Sequence, residues 1–219
     1  MKKLILLFVV IISFSCKNET AIPENFDYGT IEDGVYTNDY FKMRFPFDAS
    51  WDIQSKEEMK EIADSGTEML TDEKTKRAVK ATEINSANLF SAFKYETGFE
   101  EGYNYSILIV AENTKMFPQV KRGSDYLKEA KKMMTQTVIN YEFDNDFETK
   151  AIGGKSFDVM NVTGDYLGGF FKQKYMTTIV NGFSFSIIIS YDSNEQLQEL
   201  EALIDGIIFY DSQSKKKAA

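Results

Sequence analysis

The tightest constraint in this sequence is the dipeptide Asn181-Gly182, set between two long strand-forming runs, residues 170–180 and 183–191. Both central residues of a two-residue hairpin turn need positive φ, which Asn and Gly tolerate best, so the pair predicts a tight antiparallel hairpin. Such a turn fixes the register, opposing Val180 to Phe183, Thr178 to Phe185 and Met176 to Ile187. That face is apolar near the turn and is expected to meet a core.

Other segments extend the pattern. Gly153-Gly154 separates residues 147–152 from 157–162, a second hairpin. Leu89, Ser91, Phe93 and Tyr95 alternate with Phe90, Ala92 and Lys94, while residues 103–110 read as a strand buried on both faces, with a turn between Gly98 and Gly102. Residues 40–45 form an aromatic strand stopped by Pro46, and Trp51 to Ile53 is a short extended piece. Two capping-box spacings announce helices, in which a serine hydroxyl and the side chain three residues on satisfy each other's backbone donors. Ser55 to Glu58 precedes Met59, Ile62, Ala63, Met69 and Leu70, with Gly66 expected to break the helix; Ser193 to Gln196 precedes Leu197, Leu200, Leu203, Ile204 and Ile207. A third helix is expected over residues 125–139, capped by Ser124, with Leu127, Ala130, Met134, Val138 and Tyr141 in one stripe. Residues 71–83 are charged and read equally as an exposed helix or a loop. Antiparallel strands with helices at intervals predict an α+β domain, an antiparallel β-sheet with packing helices.

The N-terminus has another character. Lys2 and Lys3 precede an apolar run over residues 4–12, too short to cross a hydrocarbon core that needs ~20 residues, and Ser13-Phe14-Ser15-Cys16 ends it. The segment resembles a bacterial lipoprotein signal, in which the peptide before the cysteine is removed and the thiol is acylated. Ser13 and Phe14 depart from the commonest form in a way similar to lipoprotein signals of Bacteroidetes, where Lys17-Asn18-Glu19 would resemble a surface-export signal. The alternative is ordinary cleavage after Ser13-Phe14-Ser15, leaving a soluble protein with a free thiol. The expected division is a signal peptide over 1–15, a lipid-anchored tether over 16–35, one domain over 36–211 and a frayed tail over 212–219. The resemblance implies lipidation at Cys16 and a place in the bacterial cell envelope, at the outer membrane or cell surface.

Composition narrows the chemistry. The chain has 219 residues with a net charge of −9, made more negative by loss of Lys2 and Lys3, so nucleic acid is not an expected partner. A hydrophobic content of 43% with 18 Phe and 12 Tyr argues for a packed core. The sequence has no histidine and a single cysteine, which removes Ser-His-Asp triads, Cys-His pairs and histidine zinc sites. No phosphate-binding or dinucleotide glycine motif is present. No cofactor, metal or catalytic residue is assigned.

Three groups of residues keep some chemical potential. Glu142, Asp144, Asp146 and Glu148 alternate and could offer oxygens to Ca²⁺, although period-two acids also line the wet face of a strand. Asp52, Asp158, Asp165 and Asp192 stand at strand ends and could supply a carboxylate pair. Ten aromatics (Tyr40, Phe41, Phe45, Phe47, Phe93, Tyr103, Tyr105, Phe170, Phe171 and Tyr175) could line an apolar cleft, or pack across strands. Within the last group Tyr166, Leu167, Phe170 and Phe171 flank Gly168-Gly169, and this segment is expected to present a mobile hydrophobic contact surface to a partner.

The order of elements, with Phe45-Pro46 before Trp51, the helix start Asp125-Tyr126-Leu127 and the late Asn181-Gly182 hairpin, resembles the PsbP-like α/β/α sandwich over residues 36–210. That resemblance implies binding more than catalysis, since proteins of similar fold include photosystem extrinsic subunits and a Ran-binding import factor; fold alone assigns no function. The expected function is a non-catalytic, protein-binding envelope lipoprotein held to the membrane through Cys16. The alternatives are a carboxylate-dependent hydrolase of an envelope glycan and a binder of a small apolar ligand.

Overall fold

The computed structural model describes residues 22–96 and 98–210. The expected signal peptide over 1–15, Cys16 and the expected tail over 212–219 lie outside the described residues.

Along the chain run β1 (Thr30–Glu32), β2 (Val35–Asn38), β3 (Met43–Pro46), β4 (Asp52–Ile53), α1 (Lys56–Glu68) and α2 (Glu73–Thr82). Next come β5 (Ser86–Phe93), β6 (Ser106–Asn113), α3 (Gly123–Met134), β7 (Asn140–Phe143) and β8 (Glu148–Ile152). The chain continues with β9 (Lys155–Tyr166), β10 (Gly169–Val180), β11 (Phe183–Tyr191), α4 (Asn194–Asp205) and β12 (Ile208–Phe209). The large sheet has the order β4-β5-β6-β11-β10-β9-β7, with β8 also paired to β9, and a four-stranded sheet has the order β1-β2-β3-β12. Every pairing between these strands is antiparallel. The Asn181-Gly182 hairpin stands at the centre with the expected register, Val180 to Phe183 and Met176 to Ile187.

Alternation sends successive side chains of this sheet to opposite faces. On one face Ile107, Ile109, Phe183, Phe185, Ile187 and Ile189 are buried against Tyr36, Met43 and Phe45 of the small sheet and Leu200 and Ile204 of α4. Each such side chain contributes about 1.5–3 kcal/mol on full burial. On the other face Leu127 and Met134 of α3 pack onto Met160 and Val162 of β9. Helices therefore lie on both faces, and α4 shares its layer with the small sheet.

Several local expectations are corrected. The domain begins earlier than the expected residue 36, because it already includes Ile22, whose N–H donates to the Ile84 carbonyl, and Phe26, which is buried in the main core. The overlooked signal is Asp33-Gly34, which closes the β1–β2 hairpin with φ of 48° and 72°. Residues 71–83 contain α2, begun by Asp72, whose carboxylate accepts from Thr75 N. Gly66 lies within α1 and does not end it.

The third helix spans Gly123–Met134, not residues 125–139, and Ser124 lies in its first turn instead of capping it. Asp158 supplies the acceptor there, taking the Ser124 N–H at 2.6 Å. Glycine is required at position 123, where a Cβ would collide with the Thr177 carbonyl. The apolar stripe ran past the helix because Tyr141 belongs to β7, and Val138 is exposed.

Candidate protein-docking surface

Four hairpins among the described residues close with two residues each: Asp33-Gly34, Gly153-Gly154, Leu167-Gly168 and Asn181-Gly182. The first residues of the four have φ of 48°, 53°, 52° and 53°, and the following glycines 72°, 82°, 80° and 80°. Three of these pairs are the dipeptides such turns favour. The fourth places leucine in the left-handed region, where a Cβ crowds the following carbonyl and costs ~1–2 kcal/mol.

Burial among the described residues does not offset that cost, because Leu167 is 90% exposed. Its neighbours repeat the theme, with Phe170 68% exposed and Tyr166 37%. They leave the hairpin in different directions. Tyr166 follows Val162 and Gly164 on the α3 face, whereas Phe170 follows Met176, Lys174 and Lys172 on the α4 face. β11 pairs with β10 only as far as Lys172, so residues 169–171 run on beyond their neighbour on that side. The tip is thus an apolar apex with one ring on each flank.

Phe171, expected to share this surface, does not. It lies half-buried over Gly164, its register partner, with its ring parallel to that of Tyr103 at 6.3 Å and edge-on to Tyr141 at 6.2 Å. Below it Tyr175 donates to the Gln173 side chain at 2.9 Å, and the Gln173 amide donates to Ser190 Oγ at 3.3 Å. Burial pushes the Tyr103 and Tyr141 hydroxyls above their usual range, so this cluster is a neutral base for the tip. The expected loop is also tighter than foreseen, since β10 begins at Gly169 itself. The signal that could have shown this was the Xaa-Gly pattern of the other hairpins.

The remaining candidates fall in separate places. Asp52 lies on β4 and Asp158 and Asp165 on β9, five strands away, or roughly 24 Å at ~4.8 Å per strand. Asp158 and Asp165 point to opposite faces, and Asp52 accepts from the Gln54 amide at 2.9 Å. Asp144 and Glu148 each accept from Asn161 Nδ2 at 3.1 Å. Among the described residues no group of three or more His, Cys, Asp or Glu is placed to hold a metal ion. A carboxyl outside these sets is perturbed: burial raises Glu112, on β6 beneath α3, above its usual range, while the Tyr126 hydroxyl donates to it at 2.8 Å. Of the ten aromatics singled out for a cleft, Phe41, Phe45 and Tyr105 are buried in the core. None of the ten lines the cleft of about 240 Å³ between Tyr28, Met59, Leu89 and Ser91.

Fold and surface together define an α+β domain with an antiparallel sheet, helices on both faces and one projecting apolar hairpin. No protein-family model matches the chain, and no curated protein does. Among solved structures it is similar to the cyanobacterial PsbP protein CyanoP of Synechocystis sp. PCC 6803, with a TM-score of 0.45, 11% identity and coverage of 83% of this chain and 96% of that one. It is also similar to a crystal structure from Bacteroides thetaiotaomicron VPI-5482, with a TM-score of 0.44 and 10% identity over 78% of this chain. The match spans 46% of that second protein, less than half its length.

Proposed function

We propose that this chain is a lipid-anchored protein of the bacterial envelope whose domain docks a protein partner through the β9–β10 hairpin tip, without catalysing a reaction. The observation that carries the reading is Leu167: a leucine held at φ 52° and 90% exposed, at a turn position where the other three two-residue hairpins use Asp, Gly or Asn. A strained residue with no role in packing points to a function outside the fold. The flanking Tyr166 and Phe170 add aromatic surface of the kind enriched in binding hot spots. The anchor rests on the short apolar run and on Cys16 as the sole cysteine. Two or three acyl chains hold stably where one does not.

Two measurements test this reading. Metabolic labelling with a palmitate analogue is expected to mark the wild type and not Cys16→Ala; label on neither removes the anchor. Affinity capture from detergent-solubilised envelope is expected to yield a stoichiometric complex that the double variant Leu167→Asn, Phe170→Ser loses while keeping its folded circular dichroism. Undiminished capture by the folded double variant assigns docking to another surface.

A further inference from the structure

The two turns that bound β10 stand at opposite ends of the sheet, in opposite surroundings. At Asn181-Gly182 the Asn181 side-chain amide donates to the Tyr40 carbonyl at 3.1 Å, and the Gly182 carbonyl accepts from Thr114 N at 2.9 Å. The Lys115 side chain lies against Gly182. At Leu167-Gly168 a Cβ built on Gly168 would meet nothing within 4 Å. One turn is packed into the domain and the other is free.

The packed end is where the described chain enters. Ile22 N–H donates to Ile84 O at 2.8 Å, just before β5, and Ser86 of β5 stands level with Glu112, Ser184 and Ile179 across the sheet. From Ile179 to Gly169, β10 runs ten residues, or about 33 Å at ~3.3 Å per residue. The tip therefore lies about 30 Å along the strands from the level at which the chain enters. Five residues lie between Cys16 and Ile22, and the six steps from one to the other reach at most ~22 Å when fully extended.

We infer that the Asn181-Gly182 end faces the bilayer that anchors the chain and the Leu167 tip faces away from it. The tip then meets a protein that presents an apolar pocket about 30 Å or more above that bilayer, not the bilayer itself. This orientation rests on the reading of Cys16 as the anchor. The net charge of −9 favours it, since an acidic domain is repelled by anionic headgroups and gains nothing by lying flat on them.

The test uses the full lipidated chain on phosphatidylcholine vesicles containing a brominated lipid, which quenches tryptophan only at contact. Trp51 is buried and supplies a constant background. The variant Asn18→Trp, next to the anchor, is expected to be quenched and Phe170→Trp, at the tip, to keep its emission. Quenching of Phe170→Trp overturns the orientation while the anchor stands. An unquenched Asn18→Trp removes the anchor, and the orientation with it. In cells, a benzoylphenylalanine photo-crosslinker at position 170 is expected to form an adduct with one protein, lost when Leu167→Asn is added. A lipid adduct at position 170, or none, overturns the proposed partner.

Discussion

The ring of Phe171 covers the bare α-carbon of Gly164, its register partner on β9, so closely that a methyl group there would run into the ring. Tyr103 and Tyr141 box the ring in from two further sides. The hairpin tip projects only beyond this lock, because Phe171 ties the β9–β10 ladder to the body of the domain two residue pairs before the turn.

Gly164→Ala is expected to force Phe171 out of its seat and to destabilise the domain by about 1–3 kcal/mol, as overpacked sites do. A urea unfolding midpoint measures this. Docking through Leu167 should weaken in parallel, since the tip then loses its base.

Leu167→Asn should do the opposite to stability. Asn occupies the left-handed region more readily, so relief of the strain is expected to add ~1 kcal/mol, or roughly 2–4 °C of melting temperature for a domain of this size. Partner capture is expected to fall at the same time. Opposite signs in the two measurements separate a functional residue from a structural one.

Asp158→Ala removes the acceptor that takes the Ser124 N–H at the start of α3. Loss of a cap of this kind costs about 0.5–2 kcal/mol. The expected result is a lowered unfolding midpoint with partner capture unchanged under folding conditions, because Asp158 stands far from the tip on β9.

Glu112 gives the domain a pH dependence. Its carboxyl is raised by burial above the ordinary value of 4.5. Below the unfolded value it is neutral in both states and costs nothing; as pH rises through that value the unfolded chain ionises first, and stability is lost until the folded pKa is passed. Glu112→Gln keeps an acceptor for Tyr126, so it should be more stable than wild type near pH 7 and equal to it below about pH 4. Urea midpoints of both proteins across that range check the sign.

By itself the sequence determined what local chemistry controls. Asn181-Gly182 set the central hairpin and its register, and serine caps set the starts of α1 and α4, as a full capping box at α1 and by the Ser193 hydroxyl at α4, where the Gln196 side chain accepts from Asp192 N instead, because these signals act over two to four residues. The absence of histidine bounded the chemistry without any structure. Tertiary structure decided the rest. Phe170 and Phe171 are adjacent and identical in type, yet one is exposed and the other is locked over Gly164, since strand alternation sends them to faces with different cover. Asp158 became a helix cap because β9 passes beneath the start of α3, 34 residues away in the chain. Leu167 became a candidate contact because the hairpin runs past its neighbour into solvent, and which residues a neighbouring strand fails to cover depends on packing between segments far apart in sequence.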